Sequence, residues 1–254
     1  MPLSPYSIDL KRLNNIRNKY KDFRIAPLSY ATVRDFSDNV KYLPELATIS
    51  NDLKDAQRAW MLKSILGSVP AGGRLLEIGA GDPHVVHWLS QLGYQIVVVD
   101  PYDGSGHGPT DFEFYQKHFP SVRFIRENFS DNVTGLVDKS FDCIYSISVL
   151  EHIPHPSLKQ VMTGIQRYQK LGALTIHAVD HVLKGRGCEH HRKTLSVIAE
   201  GLGISEDDVE NKLLEANEDV DTYFLSAESH NMWRGAIPYE DFPMRRCVSI
   251  QISN

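Results

Sequence analysis

The sequence predicts an α/β fold: a doubly wound, mostly parallel sheet of seven strands with an N-terminal helical extension and a helical insertion after the fifth strand. Three observations lead there. Short apolar runs, Leu75-Leu76-Glu77-Ile78 and Ile96-Val97-Val98-Val99, have the composition of strands covered on both faces. The first run ends in the turn Gly79-Ala80-Gly81, and Val85, Val86, Leu89 and Leu92 then follow at helical spacing. Strand and helix patterns alternate from there to Val179, as they do in a sheet with helices on both sides.

Each element has its own warrant. Leu10, Leu13, Ile16, Tyr20 and Phe23 make an amphipathic helix that residues 24–30 break. A second helical pattern starts near Asp52, carries Leu53, Ala56, Trp60, Met61 and Leu66, and stops between Gly67 and Gly73. After the glycine turn, Asp82 is placed to cap a helix and Pro83 to occupy its first position. Residues 101–110 hold three glycines and no lysine or arginine, so a connecting loop is favoured over an anion site. A short helix through Phe112, Tyr115 and Phe119 leads to a strand at Val122–Ile125, and Phe141–Ile147 supplies the fourth strand.

The spacing of Leu158, Val161, Met162, Ile165, Tyr168 and Leu171 predicts a helix over 157–171, started by Ser157 and ended by Gly172. Ala173–Val179 is the fifth strand. Helices over 192–202 and 205–216 follow, then strands at 220–225 and 246–252. The chain thus divides into an extension (1–50) and a main domain (51–254) with its insertion at 180–217.

Composition narrows the function. A chain of 254 residues can bury a core without disulfides or metals. A formal charge of −5 argues against nucleic acid as a partner. Three scattered cysteines without a C-x-x-C pair fit a reducing cytoplasm, and no apolar run is long enough to span a bilayer.

The Glu77-x-Gly79-x-Gly81 turn, Asp100 at the end of the next strand, and the Phe141-Asp142…Leu150-Glu151-His152-Ile153-Pro154 segment together resemble the class I S-adenosylmethionine-dependent methyltransferases, over roughly residues 55–180. His84 stands where a dinucleotide fingerprint has its third glycine, which disfavours a nicotinamide-dependent oxidoreductase. The resemblance implies a Rossmann-like methyltransferase fold that binds S-adenosylmethionine. It implies that Glu77, Gly79, Ala80, Gly81 and Asp82 lie at the methionine end of the cofactor and Asp100 at its ribose. Pro101 and Tyr102, with Asn128 and Phe129, would border the adenine, and Ser146 would join the cofactor set. The extension would then cap the cofactor cleft; the alternative is a helix packed on the sheet edge.

Methyl transfer needs an aligned acceptor and, for a hydroxyl or ammonium, a base. Positions at the carboxyl ends of the fourth and fifth strands face the reacting carbon. That selects Glu151 and His152, with His177, Asp180 and His181. His177 in an apolar strand is costly unless hydrogen-bonded, and Asp180 with His181 offers an acid–histidine pair. The competing reading makes His177 a core residue, and Asp180, His181 and Glu151 caps.

His190, His191 and Trp233 are acceptor-pocket candidates or exposed loop residues. No metal is expected, because Ser148 stands where related metal-assisted enzymes carry an acid and no closed ligand pattern is present. The supply of histidine bases favours O-methylation of a small polar metabolite, and the wide polar loops are compatible with an acceptor attached to a sugar, phosphate or nucleotide. N-methylation of a small amine and a catalytically idle partner subunit are the alternatives. Helices 180–217 would cover the acceptor pocket or form a homodimer contact.

Overall fold

The computed structural model describes residues 2–50, 52–105, 108–225 and 246–254. In chain order the elements are α1 (Leu10–Tyr20), β1 (Leu28–Tyr30), α2 (Val33–Tyr42), α3 (Pro44–Ala47), α4 (Leu53–Ser68), β2 (Arg74–Ile78), α5 (His84–Gln91), β3 (Gln95–Val99), α6 (Phe112–His118), β4 (Val122–Ile125), β5 (Phe141–Ile147), a 3-10 turn (Leu150–His152), α7 (His155–Tyr168), β6 (Gln169–Lys184), α8 (Cys188–Gly201), α9 (Glu206–Glu218) and β7 (Arg246–Ser253). The seven strands form one sheet in the order β1-β7-β6-β5-β2-β3-β4. The run β6-β5-β2-β3-β4 is parallel, and β7 pairs antiparallel with both β6 and β1.

Alternation along the strands loads each sheet face with its own core. Leu75, Val98, Tyr145, Ile176 and Ala178 pack with Trp60, Met61 and Leu62 of α4 and Trp88 of α5. Leu76, Val97, Ile144, Val179 and Ile250 pack with Leu158 and Ile165 of α7 and with Leu195, Ile198 and Leu213 of α8 and α9. Helix α4 is capped by Asp52, which accepts from the Lys54 N–H, and is buried on nearly all sides between the extension and the sheet. No helix among the described residues is long and apolar enough to cross a membrane.

The structure differs from the sequence expectations in three places. The seat beside β7 goes to β1 from the extension, with Leu28 opposite Ile252 and Tyr30 opposite Ile250. Among the described residues, 220–225 make single bridges, Thr222 to Thr32 and Phe224 to Val248. Three residues of β1 are too few for periodicity to announce a strand. Helix α7 begins at His155, because Pro156 suits a first turn, and ends at Tyr168. Leu171 is therefore fully exposed on the early part of β6. Helix α5 starts behind Pro83 without a side-chain cap; the Asp82 carboxylate instead accepts from the Tyr115 hydroxyl and the Leu3 N–H. Helices α8 and α9 lie against the α7 face of the sheet.

The extension is fastened through backbone contact as well as through β1. A side chain at Gly67 on α4 would overlap the Phe23 carbonyl. Replacing Gly67 with alanine is expected to lower stability by roughly 1–3 kcal/mol, the usual range for overpacking. Urea unfolding checks this; an unchanged midpoint would show that the extension yields without cost.

Candidate active site

The site begins where β2 meets its turn. Gly79 and Gly81 have φ of +67° and +55°, a region glycine enters without strain. Gly79 N–H donates to the Val99 carbonyl at 2.9 Å, and a Cβ there would lie 2.8 Å from the Val149 methyls. Nothing lies within 4 Å of the equivalent point on Gly81, so the turn has one packed side and one open side.

Asp100, one strand over, accepts from Gly81 N–H at 3.2 Å and from Tyr102 N–H at 2.8 Å. Burial raises its carboxyl above the ordinary range, against the pull of those two N–H groups. The Tyr102 ring is fully buried beside Phe112, Tyr115 and Phe124, so its contribution at the rim is the N–H given to Asp100. Glu77 is buried within β2 and accepts from the Tyr145 hydroxyl at 3.0 Å. Burial pushes its carboxyl up to about 8, with Asp100 adding to the rise and Tyr145 opposing it.

Arg58 of α4 completes this side. It contacts Asp55 at 3.1 Å and Ser50 Oγ at 2.9 Å, and the charges of Asp52, Asp82 and Glu77 also act on it. His84, behind the turn, is brought down to about 4, mainly by burial and then by Arg58. Sequence reading missed both Arg58 and Gln57. Their signal was a polar pair within a helix that turned out to have no solvent face.

Beyond the turn, strand alternation sorts the histidine candidates. Adjacent residues of a strand point to opposite faces. Asp180 faces α4 and accepts from Gln57 Nε2 at 2.9 Å. His177 and His181 face the other way, so the expected Asp180–His181 pair does not form. His177 is fully buried, and its Nδ1 meets Ser146 Oγ at 2.7 Å. The same contact occupies Ser146, which is also fully buried. His181 lines a cavity of about 320 Å³ with Cys188, Arg192, Glu210 and Leu213, between α8, α9 and the end of β6.

His152 is exposed on its 3-10 turn. Glu151 beside it is buried and caps no helix; its Oε1 accepts from the Asp180 N–H at 2.8 Å. Burial and the charge of Asp180 push the Glu151 carboxyl well above the usual range.

The remaining candidates are spread out. His190 and His191 sit on α8; His190 is exposed and stacks on His155, while His191 Nδ1 contacts the Asp180 carbonyl at 2.8 Å. Asn128 is exposed, and Phe129 is buried against the Tyr168 ring, 6.0 Å between centroids. Ala80 and Pro101 are half-buried at the two strand ends. Trp233 lies outside the described residues. Among the described residues, no group of three or more His, Cys, Asp or Glu is placed to hold a metal.

A glycine turn facing an acid across adjacent parallel strand ends is the place where doubly wound folds bind nucleoside ligands. A family model described as a methyltransferase domain matches residues 34–191, more than half of the chain. The chain belongs to this family and is a class I S-adenosylmethionine-dependent methyltransferase.

A comparison with curated protein sequences returned no match. Solved structures of similar shape include a TehB-like SAM-dependent methyltransferase from Corynebacterium glutamicum, with 14% identity, TM-score 0.47, and coverage of 87% of this chain and 99% of that one. Another is the phosphoethanolamine N-methyltransferase 2 of Haemonchus contortus, at 14% identity and TM-score 0.45, covering 88% and 59%. A third is an arsenic(III) methyltransferase from Chlamydomonas reinhardtii, at 17% identity and TM-score 0.43, covering 73% and 65%.

Burial also dictates an acid sensitivity. His177 and His181 are both held down to about 3, chiefly by burial, against an ordinary 6.5. The unfolded chain takes up protons there below pH 6.5 that the folded chain refuses until about pH 3, so their contribution is full above 6.5 and lost as pH falls. Glu77, raised from 4.5 to about 8, acts in the opposite sense and costs stability as pH rises through that window. The double variant His177→Gln/His181→Gln is expected to lose less Tm than the parent between about pH 7 and pH 5. An equal loss in both proteins would mean that these imidazoles are not held neutral.

Proposed function

We propose that this methyltransferase acts on a small polar acceptor placed at the carboxyl ends of β5 and β6, against Glu151, Asp180 and Gln57. The observation that carries the cofactor half is the Asp100 carboxylate, fastened to Gly81 N–H and Tyr102 N–H beside the open side of the turn. A carboxylate oxygen has lone pairs beyond the one each N–H uses, so Asp100 can also accept from two ribose hydroxyls. Gly81 admits a ligand close to the backbone, and Arg58 stands near for a carboxylate. These residues fit S-adenosylmethionine. When bound, the cofactor supplies an electrophilic methyl on a sulfonium.

The chain's own groups then have defined tasks. Asp100 and the glycine turn orient the cofactor, and the Glu151–Asp180 pair receives the acceptor's proton. Carboxylates take this role because His177 and His181 open on the opposite sheet face; the preference for oxygen, which rested on those histidines, goes with them. Residues 2–50 serve as a lid: Leu3 N–H reaches Asp82, Ile8 N–H reaches Gln91 Oε1 at 2.9 Å, and Tyr6 lies on the His87 ring. The charge of −5 favours a small molecule over nucleic acid as acceptor, and the free thiols of Cys143, Cys188 and Cys247 suit a reducing cytoplasm.

Asp100→Ala is expected to weaken S-adenosylhomocysteine binding by roughly tenfold or more, the scale of a lost charge-assisted hydrogen bond. Titration calorimetry measures it. Undiminished affinity would remove Asp100 from the ribose site and with it the orientation of the whole cleft.

A further inference from the structure

The wall beside Asp180 presents hydrogen-bond acceptors with nothing to accept. Gln57, with no exposed surface, gives Nε2 to Asp180 Oδ1 at 2.9 Å. An ionised carboxylate only accepts, so this contact fixes the amide's orientation and leaves Oε1 as an acceptor. That Oε1 has no partner among the described residues. Glu151 approaches Asp180 from its backbone side: Oε1 takes the Asp180 N–H at 2.8 Å, the Ser148 hydroxyl lies close enough to act on the carboxyl, and Oε2 lacks a full hydrogen bond among the described residues. A buried polar atom left without a partner is costly, and a ligand donor that reached these atoms would satisfy them.

The charges and rings nearby narrow the donor. Asp52 lies close enough that burial, and then among other charges that of Asp180, raise its carboxyl. Asp55 adds a further acid, already engaged by Arg58 at 3.1 Å. Lys54 and Arg58 are the cations acting on Asp52, and the charge of Asp180 acts on both Asp52 and Glu151. Tyr223, stacked on Phe36 at 4.5 Å, is pushed up to about 12 by burial and then by Asp55 and Asp52. An alcohol brings one O–H to such a wall. An ammonium brings several N–H groups and the compensating charge, and aromatic faces attract it as well.

We infer that the acceptor is an amine, bound as its ammonium by Gln57 Oε1, Glu151 Oε2 and Asp180, and methylated on nitrogen. This rests on the methyl transfer proposed above and adds the class of substrate. In the step itself, one ammonium proton passes to the Glu151 carboxylate and frees the nitrogen lone pair. The N–C bond then forms as the C–S bond breaks, with its electron pair staying on sulfur. The products are an N-methylammonium, a neutral thioether and a protonated Glu151, and the total charge is unchanged. Burial raises the Glu151 carboxyl, and an ammonium beside it favours the ionised form that takes the proton.

The test uses the full chain in two stages. Calorimetry with S-adenosylmethionine comes first; failure to bind would sink the underlying function and this inference together. Release of S-adenosylhomocysteine is then measured with ethanolamine, benzylamine and putrescine against ethylene glycol, benzyl alcohol and butane-1,4-diol. The thermal shift of the S-adenosylhomocysteine-loaded protein is recorded with the same six compounds. The expected result is turnover with at least one amine roughly tenfold or more above its alcohol. Glu151→Gln and Gln57→Leu should each cut that kcat/KM by about tenfold while cofactor affinity stays within about twofold. Normal cofactor binding with alcohols equal to amines overturns the inference. So does the absence of turnover and thermal shift with all six compounds, or full activity in both variants.

Discussion

Side-chain alternation along β6 is the constraint on which the rest of the site depends. It sends Asp180 toward α4, and sends His177 and His181 into the opposite core. Acid and imidazole are neighbours in sequence and separated by the thickness of a sheet in space. The two faces have different chemistry as a result. One keeps its histidines neutral through burial, with Ser146 as the polar side chain at His177. The other collects carboxylates, an amide and one arginine where β5 and β6 end.

Buried acids recur at each stage of that second face, and each is managed by a different local device. Glu77 has a tyrosine hydroxyl, Asp100 has two backbone N–H groups, and Glu151 has the N–H of the residue opposite it. The desolvation that lifts their carboxyls is the penalty for placing a charge in low dielectric. A ligand carrying positive charge relieves that penalty, and the sulfonium donor itself is such a ligand. Negative charge held along the cleft thus matches the cofactor as well as the acceptor proposed for it.

Much of this was legible in the residues. The strands of the parallel run, the glycine turn, Asp100, and both helices after β6 follow from apolar runs, turn residues and caps that lie close together in sequence. Misread features depended on distant partners. Asp82 has the right residue type for a helix cap, but Tyr115 and Leu3 claim its carboxylate. Leu171 continues a helical spacing that pairing of β6 with β5 cuts short at Tyr168. Gln57 and Arg58 resemble the polar side of an amphipathic helix until the extension covers α4 from outside. The Asp180–His181 pair was an error of another kind, since the strand assignment for 173–179 already implied opposite faces and only its length hid that the strand continues to Lys184.

The placement of β1 carries a consequence for how the molecule is made. Its partner is β7, so residues 28–30 seat against residues 250–252. A ribosome delivers the amino-terminal segment long before the strand that receives it, since synthesis proceeds at about 5–20 residues per second. Until then Leu28 and Tyr30 have no sheet edge to join, and a loop that holds every strand from β2 to β6 must close to bring them home. The border of the sheet is therefore completed last during biosynthesis, and a nascent chain stalled before β7 carries an uncovered β6 edge that invites pairing with another molecule.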